Sequence, residues 1–142
     1  MKHILNLTEF NKDDVLQILD VATQMRKIVT TEYKRSPHLL GSVLGGVWER
    51  PCASSTAFGL AVTYMSGSPL IVFDRDEVVE RLREFDNMGA SDIVISTKND
   101  NLVKSFAESS RAHVINAGSG RFDPIGVLAD LMAIRTLADG LN

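Results

Sequence analysis

Four short apolar runs constrain this chain more than any other feature: Val43-Leu44-Gly45-Gly46-Val47-Trp48, Leu70-Ile71-Val72-Phe73, Ile93-Val94-Ile95 and His113-Val114-Ile115. Each is rich in β-branched residues, too short for a helix and bounded by turn residues, the pattern of strands buried on both faces. Segments of helical period separate them over 55–65, 76–86 and 100–109, and a last one over 125–138 carries Val127, Leu128, Leu131, Met132, Ile134 and Leu137. Ahead of them, Asn11 followed by Lys12-Asp13-Asp14 reads as a helix cap with acids in the first turn. Val15, Ile18, Leu19, Ala22, Met25 and Ile28 then predict a helix over 12–33. The segment Tyr33-Lys34-Arg35-Ser36-Pro37-His38 is a polar connector broken by Pro37. The order α-βα-βα-βα-βα predicts an α/β fold of three layers: a four-stranded parallel sheet between helices, with functional loops at the carboxyl ends of the strands.

Composition fits one compact domain over 1–142. Hydrophobic residues make up 44% and charged residues 23%, so a core can form and disorder is not expected. The 15 basic and 18 acidic residues are mixed along the chain and leave a net charge of only -3, which gives no footprint for nucleic acid or an anionic membrane. Cys52 is the single cysteine, excluding an intrachain disulfide and a cysteine-rich zinc site and suiting a reducing compartment. His3, His38 and His113 lack metal-ligand spacing, so neither a metal nor a cofactor is expected. No apolar run is long enough to span a membrane, and Met1-Lys2-His3-Ile4-Leu5-Asn6 meets a polar residue too early for a signal peptide. A cytoplasmic location is the expectation.

The segment Trp48-Glu49-Arg50-Pro51-Cys52-Ala53-Ser54-Ser55-Thr56 joins a strand to a helix through a tight, hydroxyl-rich turn. Backbone N–H groups and the positive end of a helix dipole converge in such a turn, the shape of an anion site. Cys52, Ala53, Ser54, Ser55 and Thr56 are therefore candidate anion-binding positions, with ordinary helix capping by the hydroxyls as the competing role. Arg121 is the cation in the loop before Asp123-Pro124, free to partner Asp123, to face a ligand or to sit in solvent. Gly118-Ser119-Gly120 lacks the third glycine of a nucleotide fingerprint.

The strand-end turns at 49–56, 74–76, 96–100 and 117–124 carry a resemblance. Over nearly its whole length the chain resembles the N-terminal, carbamoyl-phosphate-binding half of the aspartate and ornithine carbamoyltransferases. Leu5-Asn6-Leu7-Thr8-Glu9-Phe10 is similar to that family's lead-in to its first helix. The run from Val43 to Phe58 lies where the family has Phe-Glu-Lys-Pro-Ser-Thr-Arg-Thr-Arg, and Ile93-Val94-Ile95-Ser96-Thr97 where it has Ile-Val-Ile-Arg-Thr. Val114-Ile115-Asn116-Ala117, then Phe122-Asp123-Pro124-Ile125-Gly126-Val127-Leu128-Ala129-Asp130-Leu131, is similar to Val-Ile-Asn-Ala followed by His-Pro-x-Gln-x-Leu-Ala-Asp-Leu. The resemblance implies a strand order of 2-1-3-4.

It also implies a degenerate site. The family's Ser-Thr-Arg-Thr-Arg grip reads Cys52-Ala53-Ser54-Ser55-Thr56 here, without either arginine. The arginine that reaches the carbamoyl oxygen and phosphate corresponds to Ser96, the carbonyl-polarising histidine to Asp123 and the glutamine beside it to Gly126. A carboxylate at 123 stands where oxygen charge must develop, which reverses the sign of the electrostatic help. Phosphate grips use charge-assisted hydrogen bonds of roughly 1.5–3 kcal/mol each. Losing three arginines and a histidine forfeits on the order of 5 kcal/mol, about four decades of affinity. Where the family inserts a Lys- or Arg-bearing loop into a neighbouring subunit, Phe73 runs directly into Asp74-Arg75-Asp76-Glu77, and the chain ends at Asn142 before any acceptor-amino-acid domain.

Three functions follow as expectations. The first is a non-catalytic, oligomerising structural or regulatory subunit, a homotrimer or a partner of an active carbamoyltransferase. The second is the carbamoyl-phosphate half of a transferase completed by a separate acceptor domain. The third is a small-ligand module in which Asp123, Ser54, Ser96 and Ser119 receive a hydroxylated or cationic molecule.

Overall fold

The computed structural model describes residues 3–140. Met1, Lys2, Leu141 and Asn142, on which the readings of the chain's start and end fall, lie outside the described residues. Four parallel strands, β1 (Val43–Trp48), β2 (Ser68–Phe73), β3 (Asp92–Ser96) and β4 (His113–Asn116), form one sheet in the order β2-β1-β3-β4. Each apolar run is thus a strand, and the order is the one the resemblance implies. Among the described residues the five α-helices are α1 (Lys12–Val29), α2 (Ala53–Tyr64), α3 (Val78–Asn87), α4 (Asp100–Ser109) and α5 (Pro124–Gly140). None of the described helices is long and apolar enough to cross a membrane.

Period-2 alternation divides the strands between two unlike faces. Val47, Ile93, Ile95 and Val114 point at α3 and α4, where they close with Leu82, Phe85, Val103 and Phe106 into one core. On the other face α2 lies over β2 and β1, with the Phe58 ring 5.3 Å from that of Trp48. There α5 packs on α1, with Arg135 bound to Asp20 at 2.6 Å and Arg26 donating to Thr136 at 3.0 Å. The lead-in segment adds a strand-like bridge beyond β4: the Ile4 N–H donates to Val114 O, and Ile4 O accepts from the Asn116 N–H.

Side-chain hydrogen bonds explain the shifted helix boundaries. The helix predicted over 12–33 ends at Val29, because the Thr30 and Thr31 hydroxyls donate to Lys27 O and Ile28 O, diverting carbonyls that a further turn would use. Helix α3 starts at Val78 rather than 76, because Asp74 Oδ1 collects the N–H groups of Asp76 and Glu77 into a turn first. It ends on Gly89, at φ +80°, with Ala90 and Gly89 donating back to Phe85 O and Asp86 O in a Schellman arrangement. Pro37 opens a 3-10 turn over Pro37–Leu39 within the connector.

The middle of β1 is thin. A Cβ on Gly45 would stand 2.6 Å from Phe85 Cδ2, so Gly45→Ala is expected to cost about 1–3 kcal/mol by overpacking. Leu82→Ala, emptying a fully buried site, is expected to cost about 2–5 kcal/mol. Met88→Ala, on exposed surface at the end of α3, should stay within about 0.5 kcal/mol. Urea unfolding orders the three, and a Gly45→Ala protein as stable as the parent would contradict this packing.

Candidate functional site

The turns after the strands meet at one rim of the sheet. Glu49, just past β1, accepts from the Thr97 hydroxyl at 3.1 Å and the Lys98 N–H at 3.0 Å, tying the β1–α2 turn to the β3–α4 turn. The Lys98 N–H is the main cause that holds this carboxyl below the ordinary glutamate range. Desolvation works against it, while the Thr97 hydroxyl and the charges of Lys98 and Arg75 help. Beyond β4, buried Asn116 donates from Nδ2 to Leu5 O and Ser119 Oγ, both at 3.0 Å, and accepts the Gly118 N–H at Oδ1. The 117–123 loop is fixed by Asp100, which accepts the Ser119 hydroxyl and, at 3.2 Å, both the Arg121 N–H and Arg121 Nε. The Ser119 hydroxyl is the main cause of the Asp100 carboxyl's lowered pKa, with Arg121 adding to it.

Two of the three turn hydroxyls are engaged locally. Cys52 is extended at the cap of α2; Ser55 Oγ accepts its N–H at 3.1 Å and donates to its carbonyl at 2.8 Å. Thr56 Oγ1 donates to the same carbonyl at 3.3 Å. Ser54 makes no such bond, and it lines a groove together with Ala53, Asp123 and Gly126. Arg121 pairs with Asp100 rather than with Asp123, its guanidinium 5.6 Å from the Phe122 ring centroid. Asp123 caps α5 through Oδ1, which accepts the Gly126 N–H at 2.9 Å.

Ser55 and Thr56 stay at the cap of α2, and the other candidate residues fall in three places. A cleft of about 370 Å³ at the strand ends holds Cys52, Ser96 and Ser119 with Glu49 and Thr97. An apolar groove of about 590 Å³ between α2 and α5 holds Ala53, Ser54, Asp123 and Gly126. Arg121 lies outside both, beside Asp100. Trp48 lines cleft and groove alike, 1% exposed, and its Nε1 has no hydrogen-bond partner.

Sequence reasoning missed the cations of the cleft. Arg50, Arg75 and Lys98 come from three different turns and line it together, outnumbering Glu49. Their placement just after β1, β2 and β3 is the available signal, legible only once the strand order aligns those ends. The histidines are dispersed: His3 Nδ1 accepts the Val114 N–H, His38 meets Ser36, and His113 lies 3.2 Å from Asp92. Among the described residues no group of three or more His, Cys, Asp or Glu is placed to hold a metal.

Residues 2–136 match the model of a family described as aspartate/ornithine carbamoyltransferase, carbamoyl-P binding domain. The aspartate carbamoyltransferase catalytic subunit of Caldicellulosiruptor bescii is 32% identical over 95% of this chain and 47% of its own. The ornithine carbamoyltransferase of Campylobacter hominis is 28% identical over 99% of this chain and 48% of its own. Among solved structures, the catalytic subunit of M. jannaschii aspartate transcarbamoylase superposes with a TM-score of 0.85 at 25% identity, over 97% of this chain and 48% of that one. Anabolic ornithine carbamoyltransferase from Campylobacter jejuni gives 0.83 at 27% identity, over 97% and 46%. The chain spans about half the length of the curated relatives it matches.

Two predictions follow from the rim. The depressed Glu49 value contributes stability that is present above the unfolded glutamate pKa, about 4.3, and lost as pH falls through the lower folded value. The stability gap between the parent and Glu49→Gln should therefore shrink on acidification from about pH 6 to about pH 3, and a gap constant across that range in urea titrations refutes the bridge. At α5, a Cβ on Gly126 would sit 2.7 Å from Asp123 Cγ, so Gly126→Gln displaces the cap, costing about 1 kcal/mol, while gaining about 0.5–1 kcal/mol of helix propensity. It should be near neutral in the parent and stabilising in an Asp123→Ala background, a coupling of about 1 kcal/mol in a thermal double-mutant cycle.

Proposed function

This chain belongs to the aspartate/ornithine carbamoyltransferase family, as its carbamoyl-phosphate-binding domain, and from that premise we propose that it is a non-catalytic, cytoplasmic subunit whose role is assembly. The observation that carries the reading is the carboxylate of Asp123 capping α5. Carbamoyl transfer from carbamoyl phosphate builds negative charge on the carbonyl oxygen, and its stabilisation needs a donor or cation aimed at that oxygen. A carboxylate engaged as an acceptor supplies neither, and Ser96 adds no charge to the cleft. Apolar surface supports the assembly role. Leu60 and Phe73, at α2 and the exposed end of β2, are 48% and 46% exposed, and Ile134 and Leu137 on α5 are 62% and 70% exposed. Ile134 and Leu137, three residues apart on one helix, share a face, and exposed apolar side chains grouped in that way suit an interaction surface. A homotrimer, or a complex with an active carbamoyltransferase, would bury them.

A second reading rests on Arg50, Arg75 and Lys98. Three cations around one cleft supply an electrostatic pull on a small anion from positions other than those of the family's arginines. That arrangement suits a carbamoyl-phosphate half completed by an acceptor domain on another chain.

Turnover and mass measurements separate the two. The purified chain with carbamoyl phosphate and either aspartate or ornithine should yield no ureido product above the protein-free rate, and measurable turnover would sink the first reading. Ser96→Arg, which returns one guanidinium to the cleft, should tighten carbamoyl phosphate binding in calorimetry by about tenfold or more. The native mass should exceed the 15.6 kDa of one chain at micromolar concentration, and a strict monomer that recruits no carbamoyltransferase argues against assembly.

A further inference from the structure

Two departures from the family pattern face the cleft at the strand ends: Trp48 where that pattern has Phe, and Cys52 where it has Ser. The indole brings a donor without an acceptor. Trp48 is 1% exposed and its Nε1 has no hydrogen-bond partner, so the buried N–H costs free energy until an acceptor arrives. Cζ3 and Cη2 lie back over Gly46, where an added Cβ would meet them, and this turns the opposite, pyrrole edge of the ring toward the strand end and the cleft. Cys52 brings the chain's only thiol, exposed at the cap of α2.

The charges around this sulfur are uncommitted. Arg50, Arg75 and Lys98 are exposed and take part in none of the ion pairs of the described residues. Glu49 accepts from both Thr97 and Lys98 at Oε1, which leaves Oε2 open. Electropositive surroundings open to solvent are where cysteines react selectively, and the cations draw an anionic reagent to the sulfur. Three cations and one carboxylate oxygen complement a group with two carboxylates and one ammonium, and about 370 Å³ is within the range of small-ligand pockets. We infer that the cleft is a thiol-modification site, in which Cys52 forms a mixed disulfide with an anionic small-molecule disulfide of the glutathione type. The Cys52 thiolate attacks one sulfur of the reagent, and the new S–S bond forms as the old one breaks. The departing thiolate takes up a proton from solvent, matching the one that Cys52 released. With no second cysteine in the chain to displace it, the adduct lasts until an outside thiol attacks. Meanwhile its carboxylates lie on the three cations, its ammonium on Glu49 Oε2 and an amide carbonyl on Trp48 Nε1, and the cleft is closed to other anions. The inference goes beyond both readings above and needs neither assembly nor turnover.

The full chain is treated at one pH, so that its thiolate fraction is common to every reaction, with glutathione disulfide or with the cationic disulfide cystamine. Adducts are counted by intact mass, and each rate is divided by that of the same disulfide with mercaptoethanol. Glutathione disulfide is expected to be favoured about tenfold or more. The preference should fall toward one in about 0.5 M salt and in the double variant Arg75→Gln, Lys98→Gln, whose side chains are exposed. Trp48 is the only tryptophan, so its emission should shift as the adduct forms and return on reduction, and Cys52→Ser should take no adduct. Three results overturn the inference: equal normalised rates for the two disulfides, a preference that the double variant retains, or a Trp48 emission unchanged by a complete adduct.

Discussion

Everything at the rim depends on how closely the layers approach the middle of β1. Gly45 and Gly46 put no side chain on either face there, and the Phe85 ring occupies the space on one face as Trp48 and Phe58 do on the other. Because β1 pairs with β2 and β3 in parallel, that packing sets three strand ends level, with Trp48 opposite Phe73 and Ser96. Level strand ends give turns that reach one another, which is why a single carboxylate, Glu49, can bind the β3–α4 turn. A bulkier β1 would separate the helix layers and lose the register of the turns as well as core packing.

The rim is electrically divided. Arg50, Arg75 and Lys98 surround the cleft, Asp123 stands on the groove, and Trp48 is the wall between them. A phosphate-bearing molecule is attracted to the first space and repelled from the second, while a cationic side chain has the opposite preference.

The strands were legible as short continuous apolar runs, but burial on both faces holds only for β1 and β3; β2, at the sheet edge, is half-buried or exposed throughout, with Leu70 and Phe73 in solvent. Helix α4 was readable to the residue, since Asn99 accepts the Leu102 N–H at its start and Phe106 and Ala107 keep its face in the core. Boundaries set by side-chain bonds were harder: Thr30, Thr31 and Asp74 redirect backbone groups over distances that periodicity does not register. The candidate site was legible as a set of positions on the strand-end turns and illegible as a place. Ser54 and Ser96 belong to turns whose ends are level, yet helix α2 carries one side chain into the groove while the end of β3 leaves the other in the cleft. Lys98 went unnoticed because a lysine after a strand is ordinarily solvated surface. Only the neighbouring strand order makes it part of a cationic ring.

Residues 123 and 126 act as a pair in physical terms. Asp123 reaches the Gly126 N–H because no side chain stands at 126, and a side chain there would press on the same carboxylate. An acid that caps a helix is favoured twice, by the hydrogen bond and by the dipole at the first turn. Replacing Asp123 removes the cap, and a side chain at 126 must push the carboxylate aside. The cap fixes the N-terminus of α5 where the 117–123 loop delivers it.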